Sequence, residues 1–331
     1  MQVLIYERAF QRIRAQLSER LPQVEPLLMG ADGTLSLAGT QVAPEQALAR
    51  AAWASSDLYA GGPVRDFMIA CLKSQSLRWV QSGGAGFEHP VFARLVDKGI
   101  ALSVNTAGSI AIAEFVIAAV LDELQPQQQR RELQLARRWQ RTPFREVFGT
   151  TWLIVGVGSI GSELARRARA FGARVIGVRR TPSGEEPVDR MITPPALPEV
   201  LPACDVIALC AAQNPDSQRI VNAAFLSRMK RGSLLVNIAR GTLVDEPALL
   251  QSLERGIPEC AILDVFAQEP LPQESPLWTH PRVRVSAHNA ANGLGYIARG
   301  DAQFLDNLQR FAAGERPLQL ADPESVKRSS Q

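Results

Sequence analysis

Apolar residues recur along this chain with two alternating periods, one of strands and one of helices. Residues 2–6 read as a short strand, and Phe10, Ile13, Leu17 and Leu21 then mark one face of an amphipathic helix that Pro22 ends. Strand-like pieces follow at 25–29 and 51–54. The turn Gly61-Gly62-Pro63 opens a helix running through Cys71, and a further strand spans 77–81. A helix at 91–98, a strand at 100–104 and a long apolar helix at 109–123 complete the first third. From Thr151 onward strand and helix alternate regularly, with strands at 152–155, 174–178, 206–210, 233–238, 260–265 and 282–286, and a weak one at 190–193 inside a proline-rich stretch. That alternation predicts a doubly wound α/β fold around a parallel sheet. After His288, residues 289–295 form a small-residue connector and 296–312 a terminal helix, and the chain from Ala321 is expected to fray.

The best-defined stretch is the βαβ unit of residues 151–180. An apolar strand runs into Gly156-Val157-Gly158-Ser159-Ile160-Gly161, a helix follows with Leu164, Ala168 and Phe171 at helical spacing, and Gly172 sits where a helix-ending glycine belongs. Such a turn needs one glycine for the tight bend, one for the approach of a pyrophosphate and one for close packing of helix on strand. The anion lies at the helix N-terminus. Where an NAD site carries an acidic residue at the end of the second strand, this chain has Arg179 and Arg180. Paired guanidinium groups suit a 2′-phosphate, so the expected cofactor is NADP, with NADPH preferred over NADH; two solvated arginines are the plainer alternative.

Length changes the picture by suggesting two domains, the first ending between residues 100 and 105. Charge excludes more than it suggests: 36 basic against 33 acidic residues give +3, too little to call for nucleic acid or membrane, and the basic run at 127–141 reads as a solvated helix face. The four cysteines, Cys71, Cys204, Cys210 and Cys260, lie among apolar residues without metal-ligand spacing, so buried thiols and no metal site are expected. No signal-like segment opens the sequence and no apolar run spans a bilayer, which makes the cytoplasm the default expectation.

Polar residues at the carboxyl ends of strands carry the candidate chemistry, because ligands of open α/β sheets bind there. Arg240 follows the strand LLVNI, Asp264 and Glu269 follow CAIL, and His288 follows RVRVSA, while His89 and His280 each precede a proline in a loop. An arginine, a carboxylate and a histidine are what interconversion of a 2-keto acid and a 2-hydroxy acid beside a nicotinamide requires. Arg240 would hold the substrate carboxylate, His288 would carry the proton, and Glu269 would fix its tautomer. The pattern alone equally allows satisfied structural polar groups. A loop at 82–86, Ser-Gly-Gly-Ala-Gly, has amides able to point at an anion, or is simply a glycine turn. Trp53 fits a core or a pocket wall equally well.

Over nearly its whole length the sequence resembles the D-isomer-specific 2-hydroxyacid dehydrogenases. The resemblance is carried by 84–89, the Ala113-Glu114 helix, the Gly156–Gly161 turn, Asn237-Ile-Ala-Arg240-Gly241 with Val244-Asp245-Glu246, Asp264-Val-Phe-Ala-Gln-Glu269-Pro270, and Ser286-Ala-His288. It implies Arg240, Glu269 and His288 as the catalytic set, the amides of Ala85 and Gly86 on the substrate carboxylate, and Asp264 on the nicotinamide carboxamide. It implies a Rossmann cofactor domain, 104–289, inserted in a smaller flavodoxin-like substrate domain, 1–103 with 290–331. A homodimer through the cofactor domain and reduction of small 2-keto acids such as glyoxylate or hydroxypyruvate are also implied, with no appended regulatory domain expected. The sequence departs from the family at Cys210-Ala-Ala-Gln-Asn-Pro215, at Ala287 and at Asn289. Those departures leave a second reading, a catalytically weak dinucleotide-sensing protein on the same scaffold.

Overall fold

The structure, a computed structural model, describes residues 1–330. It divides into two compact units, Met1–Ala107 with the chain from Leu294 onward, and Gly108–Gly293.

In the first unit, strands β1 (Gln2–Tyr6), β2 (Glu25–Met29), β3 (Leu35–Leu37), β4 (Thr40–Val42), β5 (Ala49–Ala54), β6 (Trp79–Ser82) and β7 (Ala101–Ser103) form one sheet in the order β4-β3-β2-β1-β5-β6-β7. Its parallel part, β2-β1-β5-β6-β7, has the flavodoxin-like strand order. The hairpin β3–β4, absent from the sequence reading, adds an antiparallel edge. Its two-residue turn, Ala38-Gly39, has both φ values positive (47° and 81°), as the tightest hairpin turns require.

The late chain completes this unit. Phe304, on the helix Tyr296–Ala312, is fully buried and stacks on Trp53 with ring centroids 4.3 Å apart, which makes Trp53 a core residue. Arg12 binds both Asp57 and Asp301, and the buried Asn307 donates to Gln81 Oε1 at 2.9 Å. The expectation that the chain frays from Ala321 is corrected: Pro323–Ser329 is a helix. Asp322 caps it through the Ser325 amide, Val326 is buried against the cluster that includes Phe92 and Leu95, and Lys327 pairs with Asp97. A composition-based reading missed one apolar anchor among polar residues.

In the second unit, β8 (Thr151–Val155), β9 (Arg174–Val178), β10 (Arg190–Ile192), β11 (Val206–Leu209), β12 (Leu234–Asn237), β13 (Cys260–Leu263) and β14 (Val283–Val285) form a wholly parallel sheet in the order β10-β9-β8-β11-β12-β13-β14. The first six strands follow the dinucleotide-binding order, and the order reverses between β8 and β11. Strands β8, β11, β12 and β13 are buried almost throughout, as a parallel sheet covered on both faces demands. Because every strand runs the same way, the turns after β8, β9, β11, β12, β13 and β14 emerge along one edge of the sheet. Among the described residues no helix is long and apolar enough to cross a membrane.

Candidate functional site

The turn after β8 lies at the strand-order reversal, and its three glycines have separate reasons to be glycine. Gly156 has φ of 99°, and a methyl group there would stand 2.5 Å from the Ala211 amide nitrogen; one at Gly161 would stand 2.2 Å from the carbonyl oxygen of Gly156. Gly158, by contrast, faces open space, with nothing within 4 Å of such a group. It is the N-cap of the helix Ser159–Ala170, and no side chain caps that end. The uncapped amides of Ser159, Ile160 and Gly161 and the open approach at Gly158 are what a dinucleotide pyrophosphate needs. The residues present therefore fit the cofactor.

At the end of β9 the two arginines are not equivalent. Arg179 Nη1 lies 2.7 Å from Glu186 Oε1, and Arg180 Nη1 3.3 Å from Asp216 Oδ2, with both arginines exposed. The strand end carries no carboxylate in sequence, yet folding returns one to Arg179 across a seven-residue turn.

Arg240, Glu269 and His288 follow β12, β13 and β14. Asn237, 1 % exposed, shapes the first of these segments: its side chain accepts from the Ala239 amide at 3.1 Å and donates to the carbonyl of Arg240 at 3.0 Å. Arg240 Nη1 donates to the Ala239 carbonyl at 2.8 Å. Gly241 packs against the next segment so closely that a methyl group would overlap the Phe266 carbonyl carbon, at 1.8 Å. The β13 segment is tied down in turn, since Glu269 Oε1 accepts from the Phe266 amide and Glu246 Oε1 from the Ala267 amide.

His288 Nδ1 and Glu269 Oε2 are 2.8 Å apart. Burial alone would raise the Glu269 carboxyl. The hydrogen bonds from His288 and from the Phe266 amide, with the nearby charges of His288 and Arg240, outweigh it and hold the carboxyl below its ordinary value. With Glu269 ionised, Nδ1 carries the hydrogen in that bond, and Nε2 is the nitrogen left to exchange a proton with a ligand. The ring is half exposed, so a ligand has access to it.

Asp264 is where the structure adds most to the sequence reading. It is 2 % exposed, and its carboxylate gathers the connector around the histidine: Oδ1 accepts from Ser286 Oγ at 2.7 Å and the Asn289 amide at 2.8 Å, and Oδ2 from the Ala290 amide at 3.0 Å. The Asp264 carbonyl accepts from the His288 amide at 2.8 Å. His288 is thereby held at φ of 51°, a left-handed conformation that costs a side-chain-bearing residue about 1–2 kcal/mol. The other two histidines have structural work: Nδ1 of His89 accepts from the Val91 amide at the start of a helix, and Nδ1 of His280 from the Arg282 amide.

In the first unit, the loop after β6 is fixed at its start. Ser82 Oγ accepts from the Gly84 amide at 3.1 Å, and the Gly83 carbonyl accepts from the Tyr296 hydroxyl at 2.7 Å and Asn105 Nδ2 at 2.9 Å. Ala85 follows as an exposed residue and Gly86 as a partly exposed one, and their amides donate to no protein acceptor among the described residues. Tyr296 and Asn105 escaped the sequence reading because their part depends on contacts across some 200 residues.

Comparison with known proteins bears on the family and the fold. Residues 117–290 match the family model described as the D-isomer specific 2-hydroxyacid dehydrogenase, NAD binding domain. Glyoxylate/hydroxypyruvate reductase A of Yersinia enterocolitica is 33 % identical over 224 residues, 66 % of this chain and 69 % of that protein. D-3-phosphoglycerate dehydrogenase of Bacillus subtilis is 31 % identical over 245 residues, 73 % of this chain but only 46 % of that longer protein. A crystal structure of a D-isomer specific 2-hydroxyacid dehydrogenase from Xanthobacter autotrophicus Py2, in complex with NADPH and MES, superposes with a TM-score of 0.75 at 27 % identity, covering 98 % of this chain and 99 % of that one. An uncapped glycine turn at the reversal of a parallel sheet, with such relatives along the chain, places this protein in the family of NAD(P)-dependent D-isomer specific 2-hydroxyacid dehydrogenases.

Proposed function

We propose that the protein is an NADPH-preferring reductase of small 2-keto acids, with glyoxylate and hydroxypyruvate as its leading substrates. The observation that carries this reading is the 2.8 Å pairing of His288 Nδ1 with Glu269, within reach of the charge of Arg240. When bound, a reduced nicotinamide supplies the hydride that the carbonyl carbon receives. Nε2 of His288 gives the carbonyl oxygen its proton, so that the 2-keto acid leaves as the 2-hydroxy acid. The ring acts in its doubly protonated form, in which Glu269 accepts from Nδ1–H and leaves Nε2–H outward as the donor. Arg240 grips the substrate carboxylate and the charge developing on the carbonyl oxygen. Gly156, Gly158, Ser159, Ile160 and Gly161 receive the pyrophosphate, and family resemblance assigns the amides of Ala85 and Gly86 to a substrate carboxylate. Asp264 is assigned to the nicotinamide carboxamide by family resemblance, alongside its part in the turn.

The NADPH preference rests on Arg179 and Arg180 at the end of β9, and the NADPH complex of the Xanthobacter relative supports it. One charged hydrogen bond, about 1.5–3 kcal/mol, corresponds to roughly 10- to 100-fold in affinity. The test is loss of reduced-nicotinamide absorbance with a panel of 2-keto acids, run with NADPH and NADH in parallel and repeated with His288→Asn. Turnover that needs His288 and favours NADPH is expected. No turnover with any acid refutes the reductase, and an NADH kcat/KM equal to that for NADPH refutes the preference.

We also assign a homodimer formed through the cofactor unit. The helix Gln127–Leu135 and the segment after it expose Trp139 fully and leave Leu135, Phe144 and Phe148 at least half exposed. Light scattering should give twice the chain mass for the wild type and a shift toward monomer for Trp139→Glu.

A further inference from the structure

We propose that Glu186 is a specificity-determining residue, an internal carboxylate that occupies an anion-binding turn beside Arg179 and so limits how strongly the 2′-phosphate of NADPH is held. The proposal rests on the reading that the arginines after β9 meet that phosphate.

Four donors converge on this one side chain. Glu186 Oε1 accepts from the Ser183 amide at 2.7 Å, from Ser183 Oγ at 2.9 Å and from Arg179 Nη1 at 2.7 Å, while Oε2 accepts from the Gly184 amide at 2.9 Å. Successive backbone amides, a hydroxyl and a guanidinium are the donor set from which phosphate-binding turns are built. Here the chain supplies its own anion. The Glu186 side chain is only 4 % exposed although the residues around it face solvent, and Gly184 takes φ of 85° to close the turn over it.

Its charge is also constant. The Ser183 amide, against the opposing effect of burial and helped by the Ser183 hydroxyl and Arg179, holds the carboxyl down at about 2, so Glu186 is ionised at every pH at which the enzyme would be assayed. Arg180 differs: its 3.3 Å pair with Asp216 joins two well-exposed groups, a pairing of small energetic weight. Two arginines in sequence therefore amount to one strongly neutralised and one weakly paired cation at the strand end. The 2′-phosphate meets a site whose net positive charge is set by Glu186.

The substitution Glu186→Gln keeps the shape and an oxygen to accept from Ser183, and removes the charge. Dissociation constants of NADP⁺ and NAD⁺, measured by titration calorimetry on the full-length wild type, Glu186→Gln and Arg179→Ala, test the idea without relying on turnover. Glu186→Gln should tighten NADP⁺ about three- to tenfold, on the order expected for removing one partly screened charge, and change NAD⁺ by less than about twofold. Unchanged or weaker NADP⁺ binding in Glu186→Gln, with Arg179→Ala still weakening NADP⁺ selectively, overturns the role of Glu186 and leaves the arginine site standing. If Arg179→Ala binds NADP⁺ as the wild type does, the arginine reading and this inference fall together.

Discussion

Replacing Asp264 separates two accounts of the same residue. Its carboxylate accepts three hydrogen bonds, from Ser286 Oγ and from the amides of Asn289 and Ala290, at a position 2 % exposed. In Asp264→Asn the carboxamide oxygen can keep the place of Oδ1 and its two donors, but the amide nitrogen then faces the Ala290 N–H, donor against donor. A hydrogen bond to a charged acceptor contributes about 1.5–3 kcal/mol, and a buried donor left unpaired costs about 1–3 kcal/mol. These overlap, so a loss of about 2–3 kcal/mol is expected for Asp264→Asn and about 4 kcal/mol for Asp264→Ala, which removes all three acceptor contacts. The turn holding His288 at φ of 51° should relax at the same time, and a displacement of about 1 Å at a reacting group can cost on the order of a hundredfold in rate. Urea unfolding gives the stability term, calorimetry the cofactor affinity, and steady-state kinetics the rate. Lower stability and kcat with nearly unchanged cofactor affinity are expected for Asp264→Asn. Wild-type stability with weakened cofactor binding would refute the anchoring argument and leave only the nicotinamide contact.

For the acid–base pair, the Glu269 carboxyl lies below its ordinary value of 4.5, so the pairing with His288 is fully present above about pH 4.5 and is lost as pH falls below it. Glu269→Gln removes the carboxylate that accepts from His288 Nδ1 and holds the ring, so kcat/KM should fall about tenfold; an unchanged kcat/KM refutes the pairing as functional. Arg240→Lys should lose about a hundredfold in kcat/KM through both KM and kcat, because a point charge does not replace the planar fork. Retention of most of the wild-type value shows that Arg240 does not hold the substrate. Arg12→Ala leaves Asp57, 7 % exposed, without its 2.8 Å partner, and a loss of about 3 kcal/mol in denaturant unfolding is expected; a loss under 1 kcal/mol refutes the arginine as a tie between the early and late chain.

The second sheet was readable because parallel strands buried on both faces show as unbroken apolar runs, and β8, β11, β12 and β13 are such runs. Reading polar residues at strand ends singled out Arg240, Glu269 and His288, and the common direction of the strands does place them along one edge. What escaped was whatever depends on the return of the chain. The β3–β4 hairpin is too short for periodicity, and the helix Pro323–Ser329 hangs on a single buried valine. Arg179 looks unopposed until the turn brings Glu186 back to it. Asp264 was legible as an acidic residue after a strand, but the three donors it gathers come from residues 286–290, and no spacing rule links them.

Gly241 leaves no room between the segment bearing Arg240 and the one bearing Glu269, for the Phe266 carbonyl carbon already fills the space a side chain would take. The two segments thus behave as a single casting. A directed-evolution library that randomises 239–242 alone should return almost nothing but glycine at 241, while Thr242, whose hydroxyl merely reaches Gln213, tolerates change. Variation that reshapes the arginine loop has to come from paired changes on both segments, sampled together.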